Sequence, residues 1–307
     1  MAPVAGAALE AKLEPLKASL AALQAVRLSK KQRATIRVDA RGLTVSSMDD
    51  ARALSGSVHL RREVFREYTF DPDAPGLGGA MAEEGDGDGP GGAGACHVFA
   101  VQLGSLVDAL ALFAPHDGEA PVMIRWPDPE GRLVLELAAE RLDDPGRPLH
   151  TCSYAQVACE AAGASSEGAA EHGAALAEPV SGVTLPTALL KELAEELEWP
   201  GGPVRVSLER HPPRLRLSAS ATAVGSLGVE LDAGASAGLA QGLRCASRSV
   251  GNTYGLKHLR AACAMPAALL DARNDAGQEA PCSTLEMDNR GVLKLTHLLH
   301  LGPRGGG

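Results

Sequence analysis

Leucines recur near the start of the chain at steps of four and three: Leu9, Leu13, Leu16, Leu20 and Leu23. That spacing is one stripe of an amphipathic helix, predicted from Leu9 to about Val26, with Lys12, Lys17 and Ser19 off the stripe. The period then changes to two. Residues 34–48 alternate as a strand, a tight turn and a second strand. Two further strands are expected at 53–60 and 64–70, then one at 97–101 and a helix near 102–113, with Leu103, Leu106, Val107, Leu110 and Phe113 inward. Strands at 121–126 and 132–138 complete the first half. The second half repeats this order: a strand at 180–185, a helix at 187–198 with Leu189, Leu190, Leu193 and Leu197 inward, and a meander at 204–232. A helix at 254–265 and a final hairpin at 283–295 end it. Pro200-Gly-Gly-Pro203 and Pro266 stop the two later helices.

One phrase occurs in both halves. Ala34-Thr-Ile-Arg-Val-Asp-Ala-Arg-Gly-Leu-Thr-Val45 and Ser283-Thr-Leu-Glu-Met-Asp-Asn-Arg-Gly-Val-Leu-Lys-Leu295 are both strands broken by Asp-x-Arg-Gly. Asp39 and Asp288 can bond the backbone ahead of them, and Gly42 and Gly291 can take the positive φ of a tight hairpin. The two turns are expected to be equivalent positions of an internal repeat of helix and antiparallel hairpins. This gives an N-terminal domain over 1–140, a linker at 141–150 read from Asp143, Asp144, Pro145 and Pro148, a C-terminal domain over 151–301 and a tail at 302–307. Low-complexity insertions are expected at 71–95, within the first domain, and at 160–178, within the second. Their Gly, Ala and acidic composition cannot offset the entropy of ordering them.

Composition narrows the chemistry. Hydrophobic residues make up 45% of the 307 but aromatics only 3%, so Leu, Val and Ala must build the core. A formal charge of −9 argues against coating nucleic acid by bulk attraction, though one local basic face remains compatible with it. The six cysteines form no C-x-x-C and no zinc-like pairing with histidine, and are expected to be reduced thiols of an intracellular protein. No apolar run reaches about 18 residues, so no membrane helix is expected. The acidic run at 83–89 fails calcium-loop spacing, since the twelfth position from Asp86 is His97. His297 and His300 have no Cys or carboxylate at ligand spacing and are expected on an exposed strand. Gly76-Leu-Gly-Gly79 neither follows a strand nor opens a helix. No nucleophile elbow or Cys/His pair stands out. Catalytic residues, metal and cofactor are therefore all expected to be absent.

Met287-Asp-Asn-Arg-Gly-Val-Leu-Lys-Leu295 resembles the C-terminal hairpin of the Rad-one (Rec-one) subunit of the heterotrimeric DNA-damage checkpoint clamp, the nine-one-one complex. Val64-Phe-Arg-Glu-Tyr68 resembles that family's Phe-x-Glu-Phe strand, and Ser105–Phe113 its second helix. Gly42–Asp49 is similar to a strand of the related replicative clamp, proliferating cell nuclear antigen. The matches run in order from about residue 16 to 301. The resemblance implies an α+β sliding-clamp fold of two similar domains, each with two helices packed on curved antiparallel sheets. It also implies helices lining a hole and edge-to-edge pairing with two other clamp subunits in a heterotrimeric ring. A clamp subunit begins with a strand, which Met1–Ala8 is too short and Ala-rich to supply.

By the same resemblance, the expected partners are double-stranded DNA, an ATP-dependent clamp loader, and checkpoint and repair proteins, in the nucleus. The DNA-facing candidates are Lys12, Lys17, Lys191, Lys257 and Arg260 on helices, with Lys30 and Lys31 after the first. Phosphate contact alone suffices for a ring that must slide. A homotrimeric replication clamp is the alternative. A 3′→5′ exonuclease is the third class; Asp39, Asp49, Asp50 and Asp288 would be its carboxylates.

Overall fold

The computed structural model describes residues 6–29, 31–74, 95–116, 120–142, 148–162, 176–233, 241–266, 269 and 281–299. They fall into two compact units, the residues up to 162 and the residues from 176 onward. Most of the expected insertions, at 75–94 and 163–175, lies outside the described residues, as do Lys30 and His300. The flanks of the first insertion are folded: Ala74 is buried and the Asp71 N–H donates to the carbonyl of Ala8 at 2.9 Å.

The first unit contains two antiparallel sheets. One has the order β5 (Phe65–Phe70), β1 (Leu9–Leu13), β7 (Val122–Trp126), β8 (Leu133–Leu142), β9 (Pro148–Val157). The other has the order β10 (Cys159–Ala161), β6 (His97–Gln102), β2 (Arg33–Asp39), β3 (Gly42–Met48), β4 (Ser55–Arg61). Helices α1 (Leu16–Ala25) and α2 (Leu103–Ala111) pack together. Their buried leucines join a core that includes Trp126, fully buried and stacked on Phe99 at 4.1 Å. With so few aromatics, Leu, Val and Ile from both sheets supply the rest.

The start of the chain corrects the helical reading of Leu9 and Leu13. Residues 9–13 are strand, with Leu9, Ala11 and Leu13 buried and Glu10 and Lys12 half-buried. Leucines four apart satisfy a strand's period of two as well as a helix's period, and Pro15 bars helix across that point. Lys12 is therefore not on a helix. The strand that Met1–Ala8 was too short to supply is β1.

Of the expected linker at 141–150, residues 143–147 lie outside the described residues, while 141–142 and 148–150 are strand, a correction to that reading. β8 and β9 run antiparallel from Leu133 beside Val157 to Leu142 beside Pro148. Pro148 opens an edge strand, where a missing N–H is tolerated. Residues 151–161 belong to the first unit, and the second begins among the described residues at 176.

The second unit has sheets of order β15 (Gln241–Arg244), β11 (Ser181–Pro186), β17 (Cys282–Met287), β18 (Leu293–Leu298) and β14 (Gly225–Asp232), β13 (Pro213–Ala221), β12 (Pro203–Arg210), β16 (Ser249–Gly255). Helices α3 (Thr187–Glu196) and α4 (Leu256–Cys263) pack together over a leucine and valine core. The topology repeats in four strands of each sheet, β9 and β10 being additional in the first unit. Orders 5-1-7-8 and 6-2-3-4 in the first unit become 15-11-17-18 and 16-12-13-14 in the second.

That correspondence corrects the pairing of the two Asp-x-Arg-Gly turns. Asp39–Gly42 joins β2 to β3, whereas Asp288–Gly291 joins β17 to β18, whose counterpart is the turn between β7 and β8. There Asp128 Oδ1 accepts the N–H groups of Glu130 and Arg132 at 2.9 and 2.7 Å. Asp288 Oδ1 accepts those of Arg290 and Val292 at 3.0 and 2.8 Å in the same pattern. The glycines of these turns, Gly131 and Gly291, have φ of 76° and 84°. The shared signature is Asp-x-x-Gly, and Asp39 uses a different turn, accepting the Arg41 N–H at 2.8 Å.

Gly42 has φ +145°, and a Cβ there would come within 2.2 Å of the Leu60 carbonyl. At Gly291 a Cβ would meet the Asn252 amide, a side chain that can swing aside. Gly42→Val and Gly291→Val should each destabilise the chain by more than about 1 kcal/mol, Gly42 the more, since its obstacle is backbone. Urea unfolding of both variants measures this; wild-type midpoints at both would contradict the turn geometry.

Candidate nucleic-acid interface

Charges on the exposed helix surfaces decide what a polyanion would meet. α1 is rich in Ala and Leu, follows Pro15, and exposes a single cation, Lys17. α2 exposes Asp108, which lies 3.5 Å from Arg27 just beyond α1. The helices of the first unit thus present one cation without an ion pair among the described residues and one near-neutral pair. In the second unit α3 carries Lys191, half-buried, beside exposed Glu192, Glu195 and Glu196. α4 exposes Lys257 and Arg260, and Arg260 is ion-paired to Glu198, which follows α3. A shallow open hollow on α4 is lined by Leu256, Lys257, Arg260, Ala261 and Ala264. Two cations on an apolar floor can hold an anion.

The other sequence candidates divide. Lys12 sits on β1 with its Nζ 2.5 Å from Glu67 of β5, an ion pair across two strands. Lys31 is exposed in the loop before β2. Arg33, in the same basic run, is ion-paired to Glu160 of β10. The periodicity signals that placed Lys17, Lys191, Lys257 and Arg260 on helices hold. The ion pairs of Arg27 and Arg260 carry no signal in the sequence, because their partners lie 81 and 62 residues away in the chain.

The carboxylates named for nuclease chemistry serve the backbone. Asp49 Oδ1 accepts the N–H groups of Ala53 and Leu54, and Asp50 is exposed. Asp288 is buried, which by itself would raise its pKa. The N–H groups of Ala177 and Val292 and the Arg290 guanidinium outweigh that and hold the carboxyl at about 2. Among the described residues no three His, Cys, Asp or Glu side chains cluster as metal ligands would.

His297 is half-buried rather than exposed. Its Nε2–H donates to the Ala262 carbonyl at 2.8 Å, leaving Nδ1 to accept from Ser283 Oγ at 2.6 Å. Ser283 also bonds Thr187 Oγ1 at 2.8 Å. This Ser–His pair cannot act as a nucleophile, since Ser283 has no exposed surface. It fastens β17 and β18 to both helices of the unit. Burial pushes the His297 pKa down, opposed by the Ala262 carbonyl. Burial likewise pushes Cys159 up to about 11 and Cys263 up to about 12, away from thiolate chemistry.

A doubled unit of two helices on two antiparallel sheets, without a catalytic constellation among its described residues, is the sliding-clamp fold. The family described as Repair protein Rad1/Rec1/Rad17 matches residues 8–299, and the chain belongs to it: a clamp subunit of the DNA-damage checkpoint. No curated protein sequence gives a significant match.

Acid should destabilise the second unit in two windows. His297, with a folded pKa below its ordinary 6.5, withdraws stability as pH falls under about 6.5. Asp288, lowered from 3.8 to about 2, contributes stability that is full above about pH 4 and lost as pH falls toward 2. Urea midpoints against pH, for wild type and Asp288→Asn, should differ most above pH 4 and converge toward pH 2. A constant difference would contradict the assignment.

Proposed function

We propose that the chain is one subunit of a heterotrimeric ring that encircles double-stranded DNA in the nucleus. It would be loaded by an ATP-driven loader and serve as a platform for checkpoint and repair factors, without catalysing a reaction itself. Asp39, Asp49 and Asp288 are already committed to turn hydrogen bonds, which favours the non-enzymatic reading.

The observation that carries the ring is the length of two sheet edges. β9, ten residues, and β14, eight residues, are the longest edge strands of their units, and neither has a strand on its outer side among the described residues. Long unpaired edges are a hazard in a monomer and a ready interface in an assembly. Subunits joined through such edges leave the helices free for DNA. Lys17, Lys191, Lys257 and Arg260 are then the phosphate contacts, supplemented by Lys30 and Lys31. Lys12 is set aside because it lies on strand β1 and not on a helix.

Changing Lys17, Lys191 and Lys257 to Glu and Arg260 to Gln should weaken retention of the loaded ring on DNA irrespective of sequence, leaving assembly intact. The loss should shrink as salt rises, with the salt slope reduced by about 0.9 for each phosphate contact removed. Unchanged retention would make these ordinary solvated charges, and loss of assembly would place them at a subunit interface.

A further inference from the structure

Trp199 stands at the turn between α3 and β12 with 63% of its surface exposed, an unusual place for an indole. That turn lies against the end of β13: a Cβ on Gly202 would lie 2.8 Å from the Ser220 carbonyl. A Cβ on Gly225, the first residue of β14, would point at the indole, 3.5 Å from its Cη2. Along β14, Leu227, Val229 and Leu231 share the face of Gly225 and are half-buried against the core. The indole therefore takes the place of the side chain that Gly225 lacks. It extends the apolar row by one position beyond the core. Val224, next to Gly225 in the chain, is 54% exposed.

This row borders the outer edge of β14, where no strand is paired among the described residues. The opposite face of β14 carries exposed Ser226, Gly228, Glu230 and Asp232. Glu230 is held by Arg214 at 2.6 Å and Arg216 at 3.3 Å, while Asp232 makes no ion pair among the described residues. An apolar row on one face, an acid on the other and free backbone between them describe a docking track for an extended strand.

We propose that Trp199, with Val224, is the apolar anchor for the strand that a neighbouring, different clamp subunit pairs along β14. That strand carries an apolar side chain opposite Gly225 and a cation near Asp232. The inference rests on the ring reading and adds to it the residue that grips the partner. A tryptophan suits the task because it brings a large apolar area with only two side-chain torsions to freeze.

The chain contains two tryptophans, and Trp126 is fully buried, so it serves as an internal reference. The full chain labelled with 5-fluorotryptophan is mixed with the two unlabelled partner subunits of the checkpoint clamp and followed by ¹⁹F NMR. On ring formation the Trp199 resonance should lose its H₂O/D₂O isotope shift while that of Trp126 stays in place. Trp199→Ala should weaken assembly by at least about tenfold, with Trp199→Phe retaining most of it. The thermal midpoint of the isolated variant should stay near wild type, since an exposed ring contributes little to folding. A ring that forms with Trp199 still solvent-accessible, and equally well with Trp199→Ala, overturns the anchor and leaves the ring reading standing. Failure to bind the partner subunits at all overturns the ring reading, and the anchor with it. Burial of Trp199 in a self-association of this chain would show that the occupant is a second copy and not a different subunit.

Discussion

The backbone of an outermost strand turns a row of N–H and C=O groups away from its own sheet, and those groups need partners. The four sheets of the described residues have eight such edges. Several are short, such as β10 with three residues and β15 with four. β9 and β14 are not, and β14 adds an apolar rim that a lone subunit leaves wet. Edge pairing between chains satisfies both demands at once. It also relieves the helices of holding the assembly together. In the proposed ring the helix pair of each unit is free to spend its leucines on the core and its few charges on solvent or DNA.

Those charges are sparse. The helices of the first unit present Lys17 and a neutral Arg27–Asp108 pair, and α3 is acidic. A single subunit of this kind would hold DNA weakly. Topological closure removes the need for strong contacts, because a ring stays on the duplex by encircling it and a weak grip permits sliding. The net charge of −9 is consistent with a protein retained by closure, with the cations of α4 as its local basic patch.

The fold was legible wherever periodicity was unambiguous. Helices at 103–111, 187–196 and 256–263 fall inside the ranges that leucine spacing indicates, and the alternating segments are strands. It misled where two periods fit the same residues: Leu9 and Leu13 belong to a strand, and Pro15 was the available signal. The repeated Asp-x-Arg-Gly phrase drew attention to a real doubling but joined turns from non-equivalent hairpins. The true counterpart, Asp128–Gly131, shares only the acceptor and the glycine, the two groups the turn geometry demands. The candidate site was half legible. Helical spacing located four cations, whereas ion pairs such as Lys12–Glu67, and the glycine gap that Trp199 fills, depend on contacts distant in sequence.

The central claim is that this chain completes a ring only with two different partners. Sedimentation equilibrium or light scattering on the purified chain, alone and mixed with the two other checkpoint clamp subunits, tests it most directly. Alone, the chain should remain near its own mass of 31.6 kDa. Mixed with its partners, it should form a complex of one copy of each. A stable homotrimer of the isolated chain would contradict the account.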